Sequence, residues 1–459
     1  MPEAASSAAR PGLAAAAKTD PIQHPDKLSN TSSTSLSEYY DLDALDALPP
    51  ERAVRVMLRS AAEVEHQLFL EYLYAASSLN DPLAAGIVAD IAVEEMGHLL
   101  TVNNLLIALN GDPYFGRGPD NPSTPTNDPF AFKLRAASQP TLAMFTAAES
   151  PSPTALDSWF ARIELAWIFK TADTPLERHP VQRVGALYQR IVELLSNDSS
   201  LDEAFASATQ YFSIQASPRE AWSHAGVSRS MIVEPITSRK DAISALNKIM
   251  TQGEGFLNNR QSHFTRFRRV YRGMLLPRSF PSVFCALHRT NDRADQVLRG
   301  LWRALGLYSP EFDALEPGGE LACALPPTLP ALTNLLNIRY QLLLVRLYEI
   351  FAPNAVAARN VRIGSALREM RFVLSPLMDC IRQNVAAGGV CPDLYELPPY
   401  FDPHDRGMQA QLEIDLPKQS SALLDTLKGL MPNSGTLEGV TTAINDIDSA
   451  LTHLPRSGL

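Results

Sequence analysis

Two acids and a histidine stand in the segment IAVEEMGHLL, residues 91–100, where the remaining positions are mostly apolar. Glu95 and His98 fall on a stripe of Ile87, Ile91, Val102, Leu105 and Leu109, whose steps of three and four residues keep to one face of a helix. A second stripe, Val54, Leu58, Ala61, Leu68, Ala75 and Leu79, carries Glu65 and Tyr72 at inward positions, nearly two turns apart. Burying unpaired charge of this kind costs on the order of several kcal/mol, so these side chains require either mutual pairing or a cation.

The elements that carry the stripes bring them level. Pro49 and Pro50 open a stretch free of Gly and Pro as far as Asn80, and Asp81 as N-cap with Pro82 at the first helical position begins the next helix. NGDP at 110–113 ends it, with the glycine in the stop position. Two long helices joined by a couple of residues lie antiparallel. Glu65 lies 15 residues before Asn80 and Glu95 14 after Asp81, so both carboxylates reach one height; at ~1.5 Å per residue His98 is one turn further.

Two later segments repeat the pattern. In DAISALNKIMTQGEG the stripe Ile243, Leu246, Met250 ends at Glu254, and in SHFTRFRRVYRGM the stripe through Phe267, Val270 and Met274 begins at His263. Glycines at 253 and 255 predict a break that lets Glu254 and His263 converge. Glutamates and histidines on facing helices of a bundle make the ligand set of a dinuclear iron or manganese centre, and the absence of nearby cysteine argues against structural zinc. The competing reading is a metal-free buried ion-pair network, and Tyr72 reads equally as a core aromatic and as a redox or supporting tyrosine. Glu71 and Glu94 lie off the stripes and read as solvated or supporting, His66 faces away, and His224 reads as a loop residue without a role.

The composition bounds the rest. The 459 residues carry a formal charge of −10 with no strong basic block, which disfavours nucleic acid and anionic membranes as partners. Four scattered cysteines without a CxxC pair and no apolar run of membrane-spanning length predict a soluble cytoplasmic protein. Residues 1–36, rich in Ala, Ser, Thr and Pro, read as a disordered tail, and 37–279 as the bundle with insertions, among them a loop-like surface excursion at 113–153. Residues 280–400 read as a helical extension packed on the bundle, and 401–459 as a loop-rich segment. Strand-like alternation is scarce, so the fold class is all-α.

At these residues the chain resembles the ferritin-like superfamily. EHQLFLEYLY carries Glu65 and Tyr72 in the family's E-x6-Y arrangement, and EEMGH carries Glu95 and His98 as its ExxH. More narrowly, VGALYQRIVELL, TQGEGF and SHFTRF resemble the ferritin-like domain of iminophenyl-pyruvate dimer synthases and their stand-alone relatives. Those relatives tend to have an acid where Ala186 stands, which leaves the sixth ligand to Glu193 on the same short helix. The resemblance implies a four-helix bundle holding two iron ions, with manganese as the alternative, through Glu65, Glu95, His98, Glu254, His263 and Glu193, with Tyr72 beside the reaction. It implies an oxidase or oxygenase that uses O2 on a small, amino-acid-derived substrate of a natural product pathway, with an electron donor and a homo-oligomer left open. Two alternatives stand beside it: an imine-coupling or imine-handling enzyme without O2 turnover, and a non-catalytic metal- or partner-binding protein.

Overall fold

The computed structural model describes residues 47–79, 81–116, 132, 134–152, 156, 159–172, 183–217, 231–253, 261–274, 328–352, 359–387 and 406–454. Among them the regular structure is helical throughout, with no strand. The expected tail at 1–36 lies outside these residues, as do Glu254, His224 and three of the four cysteines; Cys380 is buried and free.

The hairpin expected from the sequence is the centre of the fold: α1 (Pro50–Ser77) and α2 (Pro82–Ala108) pack along their length. The Asp81 side chain accepts from the Leu83 N–H at 2.9 Å and begins α2. At its end Asn110, not the glycine, takes the left-handed conformation (φ 57°), and the Gly111 N–H closes the helix on the Leu106 carbonyl at 2.8 Å. Gly111 is needed one position later, since a Cβ there would sit 2.9 Å from that carbonyl oxygen.

Helices α5 (Val184–Asn197) and α7 (Arg239–Gly253) complete a four-helix ring, in which α5 packs on α1 and α7, and α7 on α2. The segment 113–153, expected to be a surface excursion, instead contains the buried helix α3 (Gln139–Ala148). Its QPTLAMFTAA is small and apolar on every side and so shows no periodicity, although Ser138 caps it by accepting from the Thr141 N–H at 3.1 Å. Helix α4 (Trp159–Ala172) packs on α3, and after the short α6 (Leu201–Ala204) and a 3-10 stretch (Phe205–Ile214), α8 (His263–Met274) packs against α2, α3 and α7.

The extension comprises α9 (Leu329–Ile350), α10 (Arg359–Glu369) and α11 (Ser375–Ala387), with a π-helical turn at Met370–Leu374. Pro376 explains the turn: it has no N–H for the Phe372 carbonyl, and the widened ladder, Ser375 N–H to Met370 O, accommodates its ring. The 401–459 segment is not loop-rich in its described part. It forms α12 (Arg406–Leu430), with Pro417 inside it, and α13 (Gly435–Thr452), whose Leu437, Val440, Ile444 and Ile447 are buried.

This extension covers the back of α1. His66 is fully buried: Nε2 accepts from the Tyr340 hydroxyl at 2.9 Å, and Nδ1 donates to the Phe115 carbonyl at 2.9 Å. Further out, Arg339 and Arg346 both bond Glu369 and Asp448 and tie α9, α10 and α13 together. No described helix is long and apolar enough to cross a membrane.

Candidate metal centre

The α1/α2 register delivers Glu65, Glu95 and His98 to one level, and α8 adds His263; all four are at most 2% exposed. Glu95 stands between the two imidazoles. Its Oε2 lies 2.8 Å from His98 Nδ1 and its Oε1 2.8 Å from His263 Nδ1, and the rings are 5.3 Å apart, 26° from parallel. Each histidine has a second acid on its outer side. Glu65 Oε2 is 3.5 Å from His98 Nδ1, and Glu149 Oε2 is 3.6 Å from His263 Nδ1.

Glu149 is the residue that sequence reasoning missed. It is the C-cap of α3 and belongs to the stretch that lacked periodicity, so neither a stripe nor a motif marked it. Gly253, at the end of α7, makes room for it, since a Cβ there would come within 3.1 Å of Glu149 Oε2.

The outward nitrogen of each imidazole is held by a different partner. His98 Nε2 bonds the Gln252 amide oxygen at 2.8 Å, whereas His263 Nε2 bonds Glu94 Oε2 at 2.9 Å, and Arg266 in turn pairs with Glu94. Of the two readings open for Glu94 and Glu71, solvated or supporting, Glu94 takes the second as a buried support, and Glu71 is buried 3.6 Å from Arg135. Both are covered because α2 is surrounded and the extension packs behind α1. Two tyrosines reach the same acids: Tyr72 donates to Glu149 Oε1 at 2.8 Å, and Tyr188 donates to Glu65 Oε1.

Glu193 does not join the cluster. Its side chain is 45% exposed and bonds Gln189 instead. It follows Tyr188 by five residues, about 140° around a 3.6-residue helix, so the face that buries Tyr188 turns Glu193 outward. Glu254 lies outside the described residues.

In the absence of a cation, protons supply the positive charge. Burial and the neighbouring Glu95 push the Glu65 carboxyl up to about 7, with His98 pulling the other way. Burial opposes charging of His98, but Glu65 and Glu95 outweigh it and lift the imidazole to about 10. His263 is likewise raised well above its ordinary range against burial, chiefly by Glu95. Burial opposes ionisation of Glu94 too, but His263 and Arg266 bring that carboxyl down to about 2.

The residues fit a metal. Glu65 Oε2, Glu95 Oε1 and His263 Nδ1 are buried yet lack a hydrogen-bond partner, so their close charge contacts leave lone pairs free for a cation. One ligand atom each from Glu95, His98 and His263 falls within 4.8 Å of the others, as an ion between them requires. Both Nδ1 atoms face the acids while both Nε2 atoms are anchored, the usual arrangement that orients metal-binding imidazoles. The cavity beside them, of about 10 Å³, suits atoms rather than an organic molecule.

The helical ring and the cluster inside it define an all-α ferritin-like bundle with a buried His/Glu site able to hold a metal. Residues 58–272, 215 of the 459, match the family model described as Ferritin-like. A solved structure of a ferritin-like protein from Caulobacter vibrioides is similar at 14% identity and a TM-score of 0.39, covering 72% of this chain and 95% of that one. No curated protein matches the chain.

Proposed function

We propose that the cluster holds two iron ions, with manganese as the alternative, and that the protein is an O2-dependent oxidoreductase acting on a small organic substrate. Glu65 and His98 would hold one ion, Glu149 and His263 the other, and Glu95 both, since it offers one oxygen to each imidazole. The single observation that carries this is that placement of Glu95 between the two imidazoles, with its buried Oε1 left without a hydrogen-bond partner. Bound iron supplies the electrons for reductive activation of dioxygen and the oxidising power for the substrate.

The protein's own groups do the rest. Gln252 and the Glu94–Arg266 pair fix the imidazoles, and burial excludes bulk water. An open groove of about 670 Å³ runs over the outer face of α7, and Gln252 reaches from its wall to His98. Lys240, with Ser244, Asn247 and Thr251, lines this groove, beside Lys248, which pairs with Glu234 at 2.8 Å. That lining suits a small carboxylate such as an amino-acid derivative, which would lie one side chain away from the cluster.

Expression with iron supplementation, followed by metal analysis and O2-uptake measurements with a chemical reductant, tests the reading. It expects about two irons per chain and uptake that depends on them. Trace metal would end it, and product formation under strict anaerobiosis would favour imine handling instead.

A further inference from the structure

Helix α5 offers the centre no acid from its inner face: in VGALYQRIVELLSN the one acid, Glu193, points outward. What α5 turns inward is Tyr188, 1% exposed, which lines the small cavity together with Glu65, Glu95, His98 and Glu149. We propose that Tyr188 is itself a ligand, its phenol oxygen binding the ferric ion that Glu65 and His98 hold. This rests on the iron-centre reading above.

Three observations support it. The Tyr188 hydroxyl donates to Glu65 Oε1, and two oxygens in hydrogen-bond contact are also placed to occupy neighbouring positions on one cation. Charge points the same way: among the described residues four carboxylates, Glu65, Glu94, Glu95 and Glu149, face one guanidinium, Arg266. Two trivalent ions exceed that negative charge, and a phenolate reduces the excess.

The third observation is the contrast with Tyr72. It too donates to an acid of the cluster, but its ring is packed edge-on against Phe145 and Phe267, each at 4.7 Å, and it does not line the cavity. Tyr72 is therefore an internal control. The coordination step balances simply: the phenol O–H bond breaks, an O–Fe bond forms, the proton leaves to solvent, and no electron is transferred.

The test loads the full chain with ferrous iron, oxidises it in air, and records iron content, the visible spectrum and resonance Raman scattering. The expected result is a phenolate-to-iron charge-transfer band, with enhanced ring vibrations that shift in protein grown on ring-deuterated tyrosine. Tyr188→Phe should keep its iron and lose the band, whereas Tyr72→Phe should keep both. An iron-loaded wild type without the band overturns the proposal, as does a band that survives Tyr188→Phe or disappears in Tyr72→Phe. Should Tyr188→Phe fail to fold, the Tyr72→Phe spectrum and the deuterium shift still decide. If the wild type binds no iron, the iron-centre reading falls and takes this proposal with it.

Discussion

Oε1 of Glu95 lies 2.8 Å from Nδ1 of His263, and both atoms are buried without a hydrogen-bond partner. The two atoms are close enough for an ion pair yet not aligned as a hydrogen bond, which leaves lone pairs that a cation could use. Glu95→Gln keeps the shape but removes the charge that would be shared by both ions, so it should abolish dinuclear binding. Because Glu95 also compensates the buried charge of His98 and His263, the metal-free variant should melt below metal-free wild type. The stabilisation by added metal, about 2.7 kcal/mol at a hundredfold excess over Kd, should vanish. Melting curves with and without metal, read beside metal content, check both halves; a variant that retains two ions refutes the ligand assignment.

The two histidines differ in what holds them from behind, a neutral amide for His98 and a charged carboxylate for His263. Such supports change metal affinity by about 10- to 100-fold when removed. Glu94→Gln should therefore weaken the His263 side selectively, giving one tight and one weak equivalent in an isothermal titration where wild type gives two tight ones. Equal weakening of both sites would mean that the cluster does not divide as described.

Proton competition gives metal binding a definite pH dependence. In the metal-free protein at neutral pH His98, raised to about 10 by Glu65 and Glu95 against burial, is protonated, and Glu65, raised to about 7 by burial and Glu95, is about half protonated. A metal must displace these protons, so affinity should rise as pH increases from 6 toward 9, with proton release at each step. Calorimetry in buffers of different ionisation enthalpy measures that release. A binding constant flat over this range would place the metal elsewhere.

Much of the centre was legible because it obeys helical spacing. Glu65 and Glu95 lie at nearly equal distances from the turn, with His98 one turn further, and His263 heads an apolar stripe, so counting residues was enough. Glu149 was not legible: it follows a helix with no polar face, and only the tertiary packing of α3 against α8 carries it inward. Glu193 failed for the opposite reason, since Tyr188 claims the inner face of α5 and turns the acid out. The stripe left Glu94 open between a solvated and a supporting role, because a single apolar face assumes one buried side, whereas α2 is buried all round from Ile91 onward. The C-terminal helices were obscured by Pro417 and by a composition that reads as loop.

The glycine of EEMGH has a packing reason. A Cβ on Gly97 would stand 2.6 Å from the Ile232 carbonyl oxygen and 2.5 Å from the Met231 side chain. Thr101, one turn on, donates to the Gly97 carbonyl at 3.0 Å and lies 3.2 Å from the Ile232 oxygen, so the 231–236 segment is clasped to α2 here. Gly97→Ala gains helix propensity yet forces backbone apart, and should destabilise by about 1–3 kcal/mol. Urea unfolding measures this, and a variant as stable as wild type would show that the segment yields freely.

Arg339, fully buried, and Arg346 converge on Glu369 and Asp448, which joins α9 and α10 to the last helix. Burial raises the Asp448 carboxyl, but the two guanidiniums outweigh it, so its folded value lies below the ordinary one. The unfolded chain therefore takes up a proton first as pH falls. The stability that Asp448 confers is complete above its unfolded value of about 4 and disappears as pH drops through the lower folded value. Asp448→Asn should accordingly cost about 1–3 kcal/mol at pH 7, less than a fully buried pair because the aspartate is 21% exposed. The gap to wild type should narrow as pH approaches 3. Urea midpoints at both pH values decide the matter, since a gap independent of pH would mean that Asp448 acts through packing and not through its charge.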